Sequence, residues 1–459
     1  MKNLTDRELA RAIAEDVAAA GGRVYFVGGI VRDEMMGVQS KDVDVEVYGV
    51  SPARLREILS RHGTVLDKGA SFGVLGLRGS DLDIAMPRLE RRTGALHTDF
   101  DVSVNPFMSP REASMRRDFT INAMMQDVLS GEIVDCWGGR EDLKRRIIRC
   151  VSEKTFPEDA LRVFRAAQFS ARFRAEIESE TLELCREIDV SCVTHERVFE
   201  EMSKALLKAD EPSIFFRALR RMNHLKEFFP ELQACIGVPQ SPKYHPEGDV
   251  FEHTMLVIDC AAKLRARAVN PLGFMQAALF HDLGKVVATE IHEDGRITAY
   301  GHEVLGLDTV RTQMLRLTNN QKLIRYVLNL TELHMRPNKL AECRSKKKKT
   351  RDLFDRCVCP EDLILIARAD ASGKLDKPYP DENEVFLRER LTDYRAVVAR
   401  PMVGGDDLIR AGVKPGVQMK DMIARARQLH FSGIEKKNAL KMVLGEYGYD
   451  GNHSHDQSK

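Results

Sequence analysis

The chain has 459 residues, 43% hydrophobic and 30% charged, too long for a single core and ordinary in composition for a globular protein of two to four domains. Its net charge of +1 excludes a global field that draws polyanions, so any nucleic-acid contact must come from local patches. No apolar run is long enough to cross a bilayer, residues 1–6 lack a signal-peptide pattern, and nine scattered cysteines do not form a disulfide framework; the expectation is a cytoplasmic protein with no membrane partner.

Thr5 with Glu8 predicts a capping box opening an N-terminal helix. Residues 23–27 read as a strand running into Gly28-Gly29. Residues 42–48 alternate acid with Val or Tyr, the period of a half-buried strand. Ser51-Pro52 opens a helix with Pro at its first position, and strands follow at 73–77 and 82–85. Residues 88–110 show no steady period and are expected to form a long functional or mobile loop. Helical spacing then dominates, with helices at 157–173, 198–207 and 214–229. The Pro- and Gly-rich stretch 237–248 marks a boundary, Pro378-Tyr379-Pro380 breaks a later helical segment, and residues 451–459 are polar and expected to be disordered. The fold class expected is multidomain α+β: an α/β head over 1–150, then all-helical segments over 151–236, 237–385 and 386–459.

Two patterns lie outside this plan. The pair Cys357 and Cys359 has no matching pair elsewhere, so a tetrahedral zinc site is not expected. The run from Arg344 to Arg351 is the densest basic segment, readable as a solvated helix end or as an RNA contact.

In Gly28-Gly29-Ile30-Val31-Arg32-Asp33, two glycines between a strand and a helix let backbone N–H groups approach a triphosphate, with Arg32 able to add charge-assisted contacts. Ten residues on, Asp42, Asp44 and Glu46 share one strand face while Val43, Val45 and Val47 share the other. Like charges that close are costly without a cation, and Mg²⁺ suits carboxylates together with substrate phosphates. Two-metal transfer wants a third carboxylate on a neighbouring strand; Asp83 is the candidate and Asp81, on its face, the competitor.

These motifs, in this order over residues 20–235, resemble the class II CCA-adding tRNA nucleotidyltransferases and the related bacterial poly(A) polymerases. The resemblance implies a polymerase-beta-like catalytic head, with Asp42 and Asp44 as Mg²⁺ ligands and Asp83 as the third acid. It implies nucleotide contacts from Gly28, Gly29, Arg32, Arg116, Asp118 and Asn122. Glu158-Asp159-Ala160-Leu161-Arg162, with Arg165, is similar to that family's amino-acid template. Asp159 and Arg162, at i and i+3 of one helix face, are expected to present an acceptor and a donor fork to a cytosine or adenine edge. His195-Glu196-Arg197 looks like the supporting motif that follows, and 88–110 takes the place of the family's flexible loop. Residues 151–236 are then a nucleotide-reading neck.

A second constellation follows an apolar run, residues 274–280. His253, His281-Asp282, His302, His334 and Asp370 resemble the HD superfamily of metal phosphohydrolases. His253, His281, Asp282 and Asp370 are the expected core ligands, with His302 and His334 on a second metal or phosphate. Imidazole with carboxylate suits a transition metal such as Ni²⁺, Co²⁺ or Mn²⁺. His245 reads as structural, while Lys285 reads equally as a phosphate contact or as a solvated side chain. HD domains occur fused to bacterial CCA-adding enzymes, so the resemblance implies CCA addition to tRNA from CTP and ATP, with phosphatase or cyclic-phosphodiesterase repair at the HD site over 237–385 and a helical tail over 386–459. A poly(A) polymerase, or an enzyme adding only CC or only A, shares every motif quoted. An HD hydrolase with an RNA-binding N-terminal half is the rival of another class; the clustered acids, which repel phosphate, speak against it.

Overall fold

The structure, a computed structural model, describes residues 4–38, 42–69, 74–92, 100–374 and 378–449. The chain divides into two compact units, Met1–Phe228 and Phe229–Lys459.

In the first unit eleven strands occur among the described residues, in chain order: β1 (Arg23–Val27), β2 (Asp44–Tyr48), β3 (Val65–Gly69), β4 (Val74–Leu77), β5 (Asp83–Ala85), β6 (Arg88–Arg92), β7 (Phe100–Val104), β8 (Met125–Asp127), β9 (Ile133–Val134), β10 (Ile147–Ile148) and β11 (Glu176–Ile177). Seven form one sheet in the order β3-β4-β5-β2-β1-β8-β9. The acid-bearing β2 is therefore central, antiparallel to β1 and parallel to β5. Val43, Val45 and Val47 are all buried. They join a core with Leu9, Ile13 and Val17 of the helix Asp6–Ala19 and Leu55, Ile58 and Leu59 of the helix Pro52–His62. The capping box at Thr5 and the proline-led start at Ser51 are both present.

Three expectations are corrected. Residues 88–110 are not one irregular loop: β6 and β7 pair as an antiparallel ribbon, with Arg88 opposite Val104, and a short helix starts at Pro110. Backbone pairing needs no apolar period, which is why the sequence pattern was silent there; residues 93–99 lie outside the described residues. The helix expected over 157–173 is broken at its start, with a 3₁₀ turn at Phe156–Glu158, Asp159 extended (φ −125°, ψ 101°) and the α-helix beginning at Leu161. The helix expected over 214–229 spans Ser213–Arg221 and restarts at Leu225, separated by Asn223 in a left-handed conformation (φ 63°). The tail 451–459 falls outside the described residues.

In the second unit the helices Val250–Leu264, Pro271–Phe280, Gln321–Leu333 and Pro360–Ser372 pack on one another. Pro271–Phe280 is buried continuously from Gly273 to Phe280, as an apolar helix without a polar face must be. The last helices, Val417–Phe431 and Lys436–Glu446, close a small core around Leu408, Met422 and Val443. Among the described residues no helix is long and apolar enough to cross a membrane. The basic run is largely helical (Lys347–Arg356); Lys347 and Arg351 are tied to Asp393. All nine cysteines are free, and among the described residues none belongs to a metal-competent group.

One buried carboxylate holds this unit together. Glu384 accepts from Arg368 at 2.6 Å and Arg388 at 2.7 Å and also pairs with Arg267. Burial works against its charge, yet these arginines pull its pKa from 4.5 down to about 2. Its contribution is therefore complete above pH 4.5 and is lost as pH falls from there toward 2. Glu384→Gln should lower unfolding stability by about 1–3 kcal/mol at pH 7. In urea unfolding at stepped pH, the gap between mutant and wild type should close below pH 4.5; a gap independent of pH overturns this account.

Candidate functional site

In the first unit the parallel register of β2 and β5 sets Asp44 opposite Asp83. The Asp44 pKa is raised, first by burial and then by the charges of Asp83 and Asp42. Lys68 of β3 donates to Asp83 at 2.7 Å, and Gly76 leaves room for its stem, since a Cβ there would lie 2.5 Å from Lys68 Cε. Asp42, just before β2, is exposed. Glu46 does not join these acids: it is 1% exposed, accepts from Tyr48 Oη at 2.7 Å and pairs with Arg116 and Arg117 at 3.2 and 3.4 Å. The shared face is real, but Glu46 is already neutralised.

Asp44 opens onto a cavity of about 480 Å³ lined also by Gly28, Gly29, Arg32, Asp118, Asn122, Asp159, Arg162 and Arg165. A hydrogen-bonded network joins these residues. Asp118 accepts from Asn122 Nδ2 at 2.9 Å and from Arg165 Nε at 2.8 Å. Burial opposes its ionisation, but the Arg165 guanidinium and Asn122 hold its pKa below the usual value. Arg32 is 4% exposed, donates to Asn122 and Asp33, and lies over the Phe169 and Phe173 rings. Arg32 thus positions Asn122 more than it offers a free charge. Arg116, expected at the nucleotide, turns to Glu46, and it is Arg117 that lines the cavity. Asp159 and Arg162 both line it, but not from one helix face. Asp159 precedes the helix, caps Leu161 N–H at 3.1 Å and pairs with Arg197 at 3.2 Å; Arg162 donates to the carbonyls of Thr155 (2.6 Å) and Arg116 (2.5 Å). Sequence reading placed Arg117 within the motif around Arg116 and Asp118 but did not single it out, and it missed Arg172, Lys204 and Lys208; all four line the cavity. The available signal was helical spacing: Arg162, Arg165, Phe169 and Arg172 follow i, i+3, i+7 and i+10.

In the second unit six predicted residues converge. His253 Nε2 is 3.1 Å from Asp370, His281 Nε2 is 3.2 Å from Asp282, and His302 Nε2 is 3.0 Å from the other Asp282 oxygen. His334 Nε2 lies 3.7 Å from Asp282 and 3.3 Å from His302 Nε2. The Nδ1 atoms of His281, His302 and His334 face the carbonyls of Ala278, Ala299 and Thr331 at 2.9, 2.8 and 2.7 Å. A carbonyl only accepts, so each Nδ1 carries a proton, and each ring in its neutral form turns an Nε2 lone pair inward. Converging lone pairs and carboxylates require a positive charge at the centre. Among the described residues His281 Nε2 is buried with no hydrogen bond and meets only the carboxylates of Asp282 and Asp370, and His253, His281 and Asp370, and His281, Asp282 and His334, form groups able to hold a metal ion. The residues fit a divalent metal. Burial pushes His334 down to about 3, aided by His281 and His302, so its ring is neutral; burial also opposes the charge of His281 and His302, but Asp282 raises both.

Lys285 is neither solvated nor free for phosphate: it is buried, 2.6 Å from Asp282 Oδ2, and donates to Gln240 at 2.7 Å. His245 shares Glu247 with His253, at 2.8 and 2.7 Å, which orients the His253 ring. Glycine decides where His302 sits. A Cβ on Gly284 would lie 2.1 Å from the His302 carbonyl and 2.8 Å from Gly306 Cα, so only glycine lets the two segments meet. Gly284→Ala should displace His302 and weaken metal binding by roughly 10–100-fold, read by calorimetric titration with Mn²⁺; unchanged affinity refutes it.

Residues 24–149 match the family described as Poly A polymerase head domain, residues 176–236 "Probable RNA and SrmB- binding site of polymerase A", and residues 250–371 HD domain. Over 429 residues the chain is 35% identical to the multifunctional CCA protein of Alkalilimnicola ehrlichii, spanning 90% of this chain and 98% of the relative. The chain belongs to the multifunctional CCA protein family. The relative from Actinobacillus pleuropneumoniae serotype 5b is 36% identical over 372 residues, 78% of this chain and 88% of its own. The fold is shared with solved CCA-adding enzymes. The Bacillus stearothermophilus enzyme in complex with CTP has TM-score 0.66 at 22% identity, covering 98% of each chain. The Thermotoga maritima enzyme complexed with tRNA has TM-score 0.62 at 20% identity, covering 96% of this chain and 95% of that one. The head with its mixed sheet and the helical region with an HD domain are those of the family. This membership sets the converging histidines and aspartates of the second unit in an HD domain and the β2–β5 acids in a nucleotidyltransferase head.

Proposed function

We propose that this multifunctional CCA family member adds C, C and A to the tRNA 3′ end from CTP and ATP, and that its HD site hydrolyses phosphate or cyclic phosphate at damaged 3′ ends. The observation that carries the first activity is the Asp44–Asp83 register beside a cavity that also holds Asp159 and Arg162. Catalysis is assigned to residues 1–150, base recognition to 151–236, hydrolysis to 237–385, and a tail role to 386–459.

Asp42 and Asp44 would hold Mg²⁺, which when bound supplies charge neutralisation for the triphosphate and lowers the pKa of the attacking hydroxyl. Asp83 is placed beside Asp44 to accept the proton of that hydroxyl once Lys68 gives way. Arg117, Arg165, Arg172 and Lys204 around the cavity, held by Glu46, Asp118, Asp33 and Glu201, would counter the phosphate charge by sharing those pairings. Asn122, fixed between Asp118 and Arg32, offers a rigid polar edge for ribose. The pinned Asp159 carboxylate accepts from the exocyclic amine that cytosine and adenine share, and Arg162 ties this segment to the loop around Arg116. At the HD site, His253, His281, Asp282 and Asp370, with His302 and His334, would hold Ni²⁺, Co²⁺ or Mn²⁺, which when bound supplies an activated water and polarises the phosphoryl oxygen. Lys285 then keeps Asp282 ionised and fixed.

The test is single-turnover extension of tRNAs ending before CCA, CA and A, with each of the four NTPs separately. C must enter at the first two positions and A at the third; A added throughout would instead mean a poly(A) polymerase. Arg162→Ala should lose about 1–3 kcal/mol of discrimination, letting UTP or GTP compete. An unaltered preference removes Arg162 from base selection.

A further inference from the structure

Beside the HD ligands lies a cavity of about 1100 Å³, reached by His302 and Asp370. A phosphoryl group alone does not need that volume, since pockets for whole drug-sized ligands measure about 300–1,000 Å³. Two large rings stand in its wall with little cover: Tyr300 is 82% and Tyr244 59% exposed. Tyr300 is two residues from His302, separated by Gly301 in a left-handed turn (φ 73°). Basic side chains line the cavity as well. Arg336 and Lys339 are one turn apart on the helix Met335–Glu342, which begins at His334, and Lys349 comes from the basic run. All three are exposed, and unlike Lys347 and Arg351 they make no ion pair among the described residues. Glu303, Glu342 and Asp352 also line the cavity, the last two on the same helices as these cations, so its wall is mixed in charge.

Exposed rings beside unpaired cations suit single-stranded nucleic acid, whose bases stack while its phosphates meet Lys and Arg. The geometry points to a subsite for the nucleotides immediately 5′ of the phosphate hydrolysed at the HD centre: Tyr300 and Tyr244 stack bases, and Arg336, Lys339 and Lys349 hold the backbone. The preferred HD substrate is then an oligoribonucleotide end and not a mononucleotide or a small phosphate ester. This rests on the hydrolase reading for its chemistry, but the binding surface stands independently of it.

The test uses the full chain loaded with Mn²⁺ and compares p-nitrophenyl phosphate, a nucleoside 2′,3′-cyclic phosphate and a tetranucleotide with the same cyclic end. Wild type should show the highest kcat/KM on the tetranucleotide. Tyr300→Ala should lower that value roughly 5- to 150-fold and Arg336→Ala/Lys339→Ala should make it less salt-dependent, with p-nitrophenyl phosphate hydrolysis unchanged. Equal kcat/KM on the tetranucleotide and the mononucleotide, or equal losses on all three substrates, overturns the subsite. Independently of turnover, a 4-thiouridine tetranucleotide should photocrosslink to the peptide holding Tyr300 or Tyr244, and the Arg336→Ala/Lys339→Ala variant should reduce it. Crosslinking without hydrolysis of any substrate would retain the subsite and refute the hydrolase reading. Absence of that crosslink overturns the subsite even if hydrolysis occurs.

Discussion

Asp44→Ala should reduce CTP and ATP incorporation by roughly 10²–10⁴-fold, the rate equivalent of several kcal/mol of lost transition-state charge stabilisation. Asp44 is half-buried on a central strand, opposite Asp83 and facing the cavity that contains Gly28 and Gly29. Removing it leaves the valine face of β2 intact, so the fold should persist, because Val43, Val45 and Val47 carry the packing. Removing a carboxylate also relieves repulsion among Asp42, Asp44 and Asp83, so the variant should be no less stable than wild type. Single-turnover incorporation with thermal unfolding on the same sample makes the check. Phosphohydrolysis should be untouched, since its ligands lie in the other compact unit. Normal incorporation by a folded Asp44→Ala protein would remove this residue from the active site.

Asp282→Ala should have the reverse outcome, abolishing metal-stimulated hydrolysis while leaving nucleotide incorporation at the wild-type rate. Asp282 touches four imidazoles and Lys285: His281 at 3.2 Å, His302 at 3.0 Å, His253 at 3.6 Å, His334 at 3.7 Å and Lys285 at 2.6 Å. Its charge is the common element of both halves of the cluster. Burial opposes that charge, but His281 and Lys285 hold its pKa well below the usual carboxylate value, so it remains ionised across the working pH range. Without it, His281 and His302 lose the anion that raises them, and the buried Lys285 is left without its carboxylate. Loss of several kcal/mol of metal-supplied stabilisation predicts a fall of roughly 10²–10⁴-fold in hydrolysis, with bound Mn²⁺ or Ni²⁺ falling in parallel by elemental analysis. Retained metal with lost hydrolysis would make Asp282 a substrate group; retained hydrolysis would refute the site.

Order along the chain and local chemistry were legible without coordinates. Valines alternating with acids at 42–47 made a strand with its valine face in the core, because a strand turns successive side chains to opposite sides; that Glu46 on the other face is buried too was not legible. His281-Asp282 at the end of an apolar helix, with His253, His302, His334 and Asp370 in order, named six residues that converge, though not Glu247, which His245 and His253 share. What sequence could not state was which polar groups were already spent. Glu46 and Arg116 neutralise each other, Arg162 bonds two carbonyls, and Lys285 is held by Asp282 and Gln240; Glu46 with Arg116, Arg162 with the Arg116 carbonyl and Lys285 with Gln240 are pairs distant in the chain. The break at Asp159 was equally hidden, since the spacing to Arg162 fits a helix and only the Leu161 cap and the pairing with Arg197 show otherwise. Periodicity thus determined which faces are buried and which residue types share a motif, because those follow from backbone geometry alone. Tertiary structure decided which of those side chains remain free to act, because a charge is available only when no distant partner has already satisfied it.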